Sequence, residues 1–422
     1  MRALICASGT IGDVHPLVGI AYAMRARGHE VFLLANPAYE KLASEAGVEF
    51  EAIGRREDLD KIKSHPKVWT YRHGWKVWTK GAGVGPMQEL FRAVQKLNRE
   101  HETIVGASYL CFGAQVAREK LGIPTATIHL NVHTIRTVYD LFAFPPPAFA
   151  PDWIPYSYLT NQRFPLWYRK FNLWAADHFF IDPVLRKKIV RFRHELGLPR
   201  LRSCVREWWN SPDLNIGLYP DWWAGSHPDW PTTVVTTGFP FWDRSESETI
   251  SDDLQRFLDD VEKVIVFTPG ASKSHTDAHF SAFARTCATL GYKGVILTPH
   301  APPTQADTVR FERYVPFRKL LPYAAAVIHH AGIGTSAHCL AAGVPQVVVP
   351  TLYNQPDTAI RLERLDVSRQ ISPGRFSERR LTQTLDEVLN SPIIAASCTK
   401  YADRMSGIDP LPNICQELES LL

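Results

Sequence analysis

No excess of one charge, no cysteine framework and no long apolar run marks this 422-residue chain, and each lack removes a class of protein. The 47 Lys and Arg stand against 43 Asp and Glu, and the resulting net charge of +4 is too small to argue for nucleic acid as a partner. The seven cysteines (Cys6, Cys111, Cys204, Cys287, Cys339, Cys398 and Cys415) are scattered, without the paired spacing of a zinc site or a disulfide set, as expected for a reducing cytoplasm. No segment offers the roughly 18 uninterrupted apolar residues that a membrane span needs. The amino terminus enters a strand pattern at once, so no export signal is expected. Repeats and low-complexity tracts are lacking too. What remains is a globular composition, 45% apolar and 21% charged, on a length that suits two domains.

The chain opens on a strand from Arg2 to Ser8, the loop Gly9-Thr10-Ile11-Gly12-Asp13-Val14-His15-Pro16, a helix from Leu17 to Arg27 and a strand from Glu30 to Asn36. This βαβ order predicts a parallel, doubly wound α/β sheet. A dinucleotide site does not fit: the glycines stand at 9 and 12 rather than in Gly-x-Gly-x-x-Gly order, and the second strand ends without an acidic residue for ribose. Further strands are expected at 49–53, 103–110, 124–132, 214–219 and 234–239. The polar, aperiodic stretch from Phe241 to Ser251 reads as a linker between a first domain, 1–240, and a second, 252–397. After it the pattern restarts, with strands at 264–268, 294–298 and 309–315.

The second domain is organised around the stretch from Ala324 to Pro350. An apolar strand ends at Ile328, His329 and His330 follow, Gly332 and Gly334 allow a tight turn, and Thr335 or Ser336 can cap a helix that Gly343 stops. A helix start of this kind is an anion site in waiting, although many glycine-containing βα turns bind nothing and a lone histidine is often a core residue. Three histidines with Cys339 invite a metal reading, but no carboxylate ligand lies near, and no metal is expected. The order His330-x-Gly332-x-Gly334-Thr335, then Ala342-Gly343-Val344-Pro345, Pro350 and Asn354-Gln355-Pro356-Asp357, resembles the donor signature of nucleotide-sugar-dependent glycosyltransferases of family 1.

The resemblance spans nearly the whole chain. It implies the GT-B architecture, two Rossmann-like doubly wound parallel-sheet domains facing across a cleft, with residues 398–422 crossing back to the first domain. Among members of the family, Gly238-Phe239-Pro240, Ser211-Pro212 and Leu121-Gly122-Ile123-Pro124 are most similar to bacterial rhamnosyltransferases that build rhamnolipids. It implies that His330, Gly332, Gly334 and Thr335, with Gly270, Ala271 and Ser272, hold the diphosphate of a UDP- or dTDP-sugar co-substrate. Val315 and Phe317 join the donor set, and Asn354 and Gln355 meet the sugar. Asn354 stands where the family usually has Asp, and His338 where plant members carry a ribose-binding Glu.

An inverting transfer needs a base for the acceptor hydroxyl. On the residues alone, Asp13 reads either as that base or as the cap of a helix beginning near Pro16, and His15 is a rival base, since its ordinary pKa of about 6.5 suits proton acceptance better than about 3.9 for Asp. The resemblance puts Asp13 in the base position. Gly12, Trp69, Trp75, Trp78 and Phe142 are candidates for the acceptor side, in a region whose aromatic content suggests a lipophilic acceptor. The basic stretch 186–206 reads as a solvated helical face, or as peripheral contact with anionic lipid at the inner membrane face. The expectation is a cytoplasmic, metal-independent, inverting transferase acting on a lipophilic hydroxyl. A noncatalytic sugar-nucleotide-binding helper and a sugar-nucleotide epimerase are the alternatives.

Overall fold

Among the described residues every strand is parallel to its neighbours, as the alternation of strand and helix along the sequence requires. The computed structural model describes residues 1–70, 73–140, 164–242, 250–270, 277–298 and 308–422. Strands β1 (Arg2–Cys6), β2 (Glu30–Ala35), β3 (Glu49–Ala52), β4 (Thr103–Ser108), β5 (Thr125–His129), β6 (Leu214–Gly217) and β7 (Val234–Thr236) form one sheet in the order β3-β2-β1-β4-β5-β6-β7. Strands β8 (Val264–Thr268), β9 (Lys293–Leu297), β10 (Val309–Glu312), β11 (Ala324–His329), β12 (Gln346–Val348) and β13 (Ser368–Gln370) form a second, in the order β10-β9-β8-β11-β12-β13. The interior strands β1, β4, β5 and β8 are buried at every position, as a sheet covered on both faces requires, and the apolar runs 3–6 and 264–267 show it in the sequence.

In both sheets the strand order reverses once, between β1 and β4 and between β8 and β11. At such a reversal the crossovers on either side leave opposite faces of the sheet, so a crevice opens at the carboxyl ends of the two central strands. The Gly9–Pro16 loop and the His330–Thr335 loop lie at these two points.

Helix α1 (Ile11–Ala26) corrects the expected start at Leu17. Pro16 lies inside the helix, where it forfeits the hydrogen bond to the Gly12 carbonyl. A cap at Thr10 and the burial of Val14, Leu17 and Val18 hold the turn in spite of it. The remaining helices that matter here are α2 (Leu166–Ala175), α3 (Asp182–Glu195), α4 (Ile333–Ala341), α5 (Gln355–Arg364), α6 (Pro392–Met405) and α7 (Leu411–Glu419). Strand β13 went unforeseen: Ser368-Arg369-Gln370 carries no apolar alternation, and its place is set by register against Gln346-Val347-Val348.

The chain folds as two units. The first holds the described residues 1–140, 164–242 and 409–422, and the second those from 250 to 408. The expected linker falls largely outside the described residues. The return to the first unit comes after Met405 rather than at 398, because α6 packs on α4 of the second unit while α7 packs on α1. All seven cysteines are buried and free, and no described helix is long and apolar enough to cross a membrane.

Buried Leu411, Ile414 and Leu418 hold α7 on α1, and Glu419 adds a charge clamp, accepting from Arg27 Nε at 2.6 Å and Nη2 at 2.6 Å and contacting His29 Nε2 at 2.8 Å. The hydrogen bonds from Arg27 and His29 lower its pKa to about 2. A carboxylate depressed in the fold contributes stability above its ordinary pKa of about 4.3 and loses it as pH falls toward 2. Glu419→Gln should therefore cost roughly 0.5–1 kcal/mol at pH 7, since the clamp is partly solvated. The difference in melting temperature from the wild type should shrink between about pH 4.5 and pH 2. A difference that persists unchanged at acid pH would show that the clamp acts by packing instead of charge.

Candidate active site

The loop after β1 is built around one carboxylate. Gly9 has φ of +127° and passes so near Asp13 that a Cβ there would stand 2.5 Å from Oδ2, so only glycine fits. Asp13 Oδ2 accepts from the Thr10 backbone N–H at 2.7 Å and from Thr10 Oγ1 at 2.8 Å. Tyr39 Oη donates to the Gly9 carbonyl at 2.8 Å and fixes the turn from outside. Burial raises the Asp13 pKa, against the two hydrogen bonds from Thr10 that lower it. The cap role therefore occupies only part of the carboxylate. One oxygen of Asp13 ties the first turn of α1, and the other, Oδ1, has no protein partner among the described residues.

His15 lies two residues further along α1, about 200° around the helix axis from Asp13. Its ring meets Trp242 with centroids 4.9 Å apart, and Gly19 admits that tryptophan, since a Cβ there would fall 2.5 Å from Trp242 Cβ. Gly12 is exposed at the start of the helix. Ser8 Oγ donates to the Ala82 carbonyl at 2.7 Å, joining the loop to the segment that follows the short helix Gly74–Trp78. Trp78 there is buried, and its Nε1 has no hydrogen-bond partner among the described residues. Trp75 is partly exposed under the Lys76 ammonium, and Trp69 is held by its own Nε1 donating to the Lys63 carbonyl at 3.2 Å. Phe142 lies outside the described residues.

In the second unit the register pairs His329 with Thr268, which brings His330 beside Gly270. The His330 ring is held between two glycines: a Cβ on Gly270 would fall 2.5 Å from its Cε1, and one on Gly332 2.5 Å from its Nε2. Its Nδ1 is buried without a hydrogen-bond partner among the described residues. Burial lowers its pKa, opposed by the nearby Thr268 backbone, which falls short of hydrogen-bond geometry. His329 is the contrasting case. It accepts from the Ala331 N–H at Nδ1, 3.2 Å, and so donates from Nε2 to Gln346 Oε1 at 2.9 Å, and burial pushes its pKa down to about 3. It is a spent, neutral core histidine. Ala331 between the histidine and the glycine turn has φ of 64°, a left-handed backbone that a non-glycine residue rarely adopts.

Helix α4 starts at Ile333 with Gly332 as its cap and no side chain bound there, which corrects the expected cap at Thr335 or Ser336. Both lie in the first turn, and Ser336 Oγ donates back to the Gly332 carbonyl at 2.9 Å. The first N–H groups of the helix, around exposed Gly334 and partly exposed Thr335, therefore lack intrahelical acceptors. With the helix dipole and His330 they have the chemistry an anion site requires. Gly270, with φ of +78°, borders it, and Ala271 and Ser272 lie outside the described residues.

The other donor candidates divide. Val315 is packed into the core, so only its backbone is left to meet a donor, while Phe317 lies against the His338 ring at 5.3 Å. Gln355 turns its Oε1 inward, accepting from Thr351 N–H at 2.8 Å, Thr351 Oγ1 at 2.9 Å and Leu352 N–H at 2.9 Å, which leaves the amide nitrogen for a ligand. Asp357 is consumed by a buried ion pair with Arg361 at 2.9 Å. Asn354 stands partly exposed as the cap of α5, after a left-handed Tyr353 at φ 53°. No group of three or more His, Cys, Asp or Glu suited to a metal ion occurs among the described residues.

Residues 3–140 match the glycosyltransferase family 28 N-terminal domain, and residues 298–421 match the erythromycin biosynthesis protein CIII-like, C-terminal domain. The chain is a GT-B-type glycosyltransferase. This glycosyltransferase is 27% identical to O-mycaminosyltylonolide 6-deoxyallosyltransferase of Streptomyces fradiae, over 99% of its own length and 97% of the relative's. Its fold is similar to that of the glycotransferase of kitacinnamycin, with a TM-score of 0.74 at 18% identity, covering 100% of this chain and 98% of the other. It is similar also to glycosyltransferase VinC in complex with dTDP, at a TM-score of 0.67 and 17% identity, over 100% and 99% of the two chains. The enzyme transfers a sugar from a nucleotide-linked donor.

Tyr39, Trp242 and Ala331 are the parts of this transferase's loops that the sequence did not announce. A glycine would have marked the turn at 331, but alanine gives no such signal. Tyr39 and Trp242 reach their loops only through the fold.

Proposed function

We propose that this glycosyltransferase moves a 6-deoxyhexose from a dTDP- or UDP-sugar to a hydroxyl of a lipophilic small molecule, with inversion and without a metal ion. The observation that carries the reading is the orphaned, buried Nδ1 of His330 beside an uncapped helix start at the strand-order reversal of the second sheet. An imidazole left unsatisfied there is accounted for by a ligand that accepts a hydrogen bond, and a diphosphate is such a ligand. In the proposed reaction the acceptor hydroxyl oxygen bonds to the anomeric carbon as the bond from that carbon to the diphosphate oxygen breaks. The hydroxyl proton goes to Asp13 Oδ1, and the negative charge goes to the diphosphate at the start of α4. One displacement of this kind inverts the anomeric centre.

The 6-deoxy sugar is supported by the relative that transfers 6-deoxyallose and by the likeness of Gly238-Phe239-Pro240 to rhamnosyltransferases; the thymidine nucleotide is supported by the dTDP complex. Partly exposed Trp69 and Trp75, with the unpaired N–H of Trp78, support an aromatic-lined acceptor side. Peripheral contact with a membrane through the basic stretch 186–206 completes the reading. The test is a thermal-shift panel of dTDP- and UDP-sugars, followed by transfer assays with flat and acyl-chain alcohols, with and without EDTA. Transfer that survives EDTA is expected. Donor conversion without an acceptor would make the protein an epimerase, and binding without turnover would make it a helper.

Asn354 decides part of the donor choice. Its amide both donates and accepts, whereas a carboxylate only accepts from sugar hydroxyls. Asn354→Asp should reorder the kcat/KM ranking of donor sugars while nucleoside diphosphate affinity stays within about twofold, a difference under roughly 0.4 kcal/mol. An unchanged ranking would remove residue 354 from the sugar site.

A further inference from the structure

Helix α2 buries none of its residues, although four of its ten are aromatic: Trp167, Tyr168, Phe171 and Trp174. Trp167 is 70% exposed, Phe171 55% and Trp174 38%, and in the turn that follows Phe179 and Phe180 are each 60% exposed. The spacing of 167, 171 and 174 puts them on one stripe. Phe171 lies 5.8 Å from Trp174, which stacks on His178 at 5.2 Å and meets the edge of Phe179 at 5.5 Å, so Phe171, Trp174 and Phe179 form one continuous patch with Trp167 a turn before it on the same stripe. The run is fastened from its other side: Asp177 is buried against Arg136 and lies 3.7 Å from Arg206. A fastened helix whose whole aromatic stripe faces outward is a surface made to be covered.

What flanks the patch says by what. Helix α3 continues the same helical run, with Leu185, Ile189 and Phe192 turned into the core and Arg186, Lys187, Lys188 and Arg191 turned out. Lys187 lies seven residues beyond Phe180, roughly 10 Å along the run. Arg191 is paired with Glu195, and the Glu207 carboxylate accepts from the Arg202 backbone N–H. Arg186, Arg200 and Arg202 make no ion pair among the described residues and line an open pocket of about 410 Å³. Protein partners select against lysine at their interfaces, whereas a cationic flank beside tryptophan and phenylalanine matches the layered chemistry of an anionic lipid surface, with acyl boundary at the aromatics and phosphate at the cations.

We propose that this face docks the enzyme on an anionic bilayer, seating Trp167, Phe171 and Phe179 at the acyl boundary and Arg186, Lys187, Lys188 and the Arg200–Arg202 pocket on lipid phosphates. The inference is independent of the sugar chemistry and stands or falls without it.

The test is co-sedimentation of the full chain with vesicles of phosphatidylcholine alone or mixed with phosphatidylglycerol. Binding to the anionic vesicles is expected, weakening as salt shortens the range of the charge attraction. Arg186→Glu, Lys187→Glu and Lys188→Glu together should lower the partition coefficient at least 100-fold, about fivefold for each cation lost and more for reversal. Trp167→Ser with Phe171→Ser should abolish what remains while the melting temperature holds, since both side chains are exposed. Absence of sedimentation with anionic vesicles, or binding that survives both sets of changes, overturns the proposal. So does light scattering that finds a dimer which the serine variant converts to monomer, because the patch would then be covered by a second copy.

Discussion

Asp13→Asn should leave the fold standing and slow sugar transfer by about 100- to 10,000-fold, the range typical of a lost general base. The structure makes this a clean substitution. The amide oxygen of Asn can replace Oδ2 in accepting from the Thr10 N–H and Oγ1, so the first turn of α1 stays tied. The amide nitrogen then takes the place of Oδ1, where it cannot accept a proton. Because burial raises the Asp13 pKa in the fold, its ionised form costs stability above the ordinary carboxylate range, and the neutral amide removes that cost. The melting temperature at pH 7 should therefore hold or rise. Asp13→Ala should lose both the tie and the base, with about 1 kcal/mol of stability lost alongside the activity. The acid limb of kcat/KM should lie above the usual carboxylate pKa of about 3.9, since the rate falls as a base of raised pKa is protonated. His15→Ala should retain a sizeable fraction of activity, because that ring packs on Trp242 on another side of the helix. Near wild-type turnover by Asp13→Asn together with a dead His15→Ala would move the base two residues along the same helix.

The architecture was legible because it depends on what a sequence displays. Uniform apolar strands such as Val264–Thr268 announce burial on both faces, and their alternation with helices dictates parallel pairing. Elements defined by pairing alone were not legible: β13 is three polar residues whose only claim to be a strand is the register against β12. Pro16 misled because proline favours a first turn, and nothing local tells that a capped turn ahead of it will hold the helix together. The site shows the same division. The sequence marks His329 and His330 alike, but the sheet register spends the first on Gln346 and sets the second between two glycines with a nitrogen unsatisfied. Gln355 was legible as a residue type, whereas the turning of its oxygen into its own loop is a matter of tertiary geometry.

His330→Ala should weaken binding of the nucleotide sugar and lower transfer by about 100- to 1,000-fold, as the loss of one donor from a preorganised anion site does. The alanine variant also empties the slot between Gly270 and Gly332, so a second variant is needed to separate the missing imidazole from a slackened loop. Gly332→Ala serves, because Gly332 has φ of −68°, a backbone any residue adopts, while its new Cβ would fall 2.5 Å from His330 Nε2 and drive the ring out. It should reproduce most of the loss with α4 intact. Gly270→Ala would be harder to read, since φ of +78° adds backbone strain of its own. Protonation supplies an independent reading. Burial lowers the His330 pKa in the free enzyme, and a bound diphosphate favours the charged ring, so binding should take up a proton and affinity should rise as pH falls toward the lowered pKa of the free ring. A nucleotide sugar carries no titrating phosphate proton in that range, so the slope belongs to the protein. Calorimetry at several pH values should show this slope in the wild type and a flat line in His330→Ala. If His330→Ala binds and transfers as the wild type does, the free nitrogen is an incident of packing, and the start of α4 holds the leaving diphosphate alone.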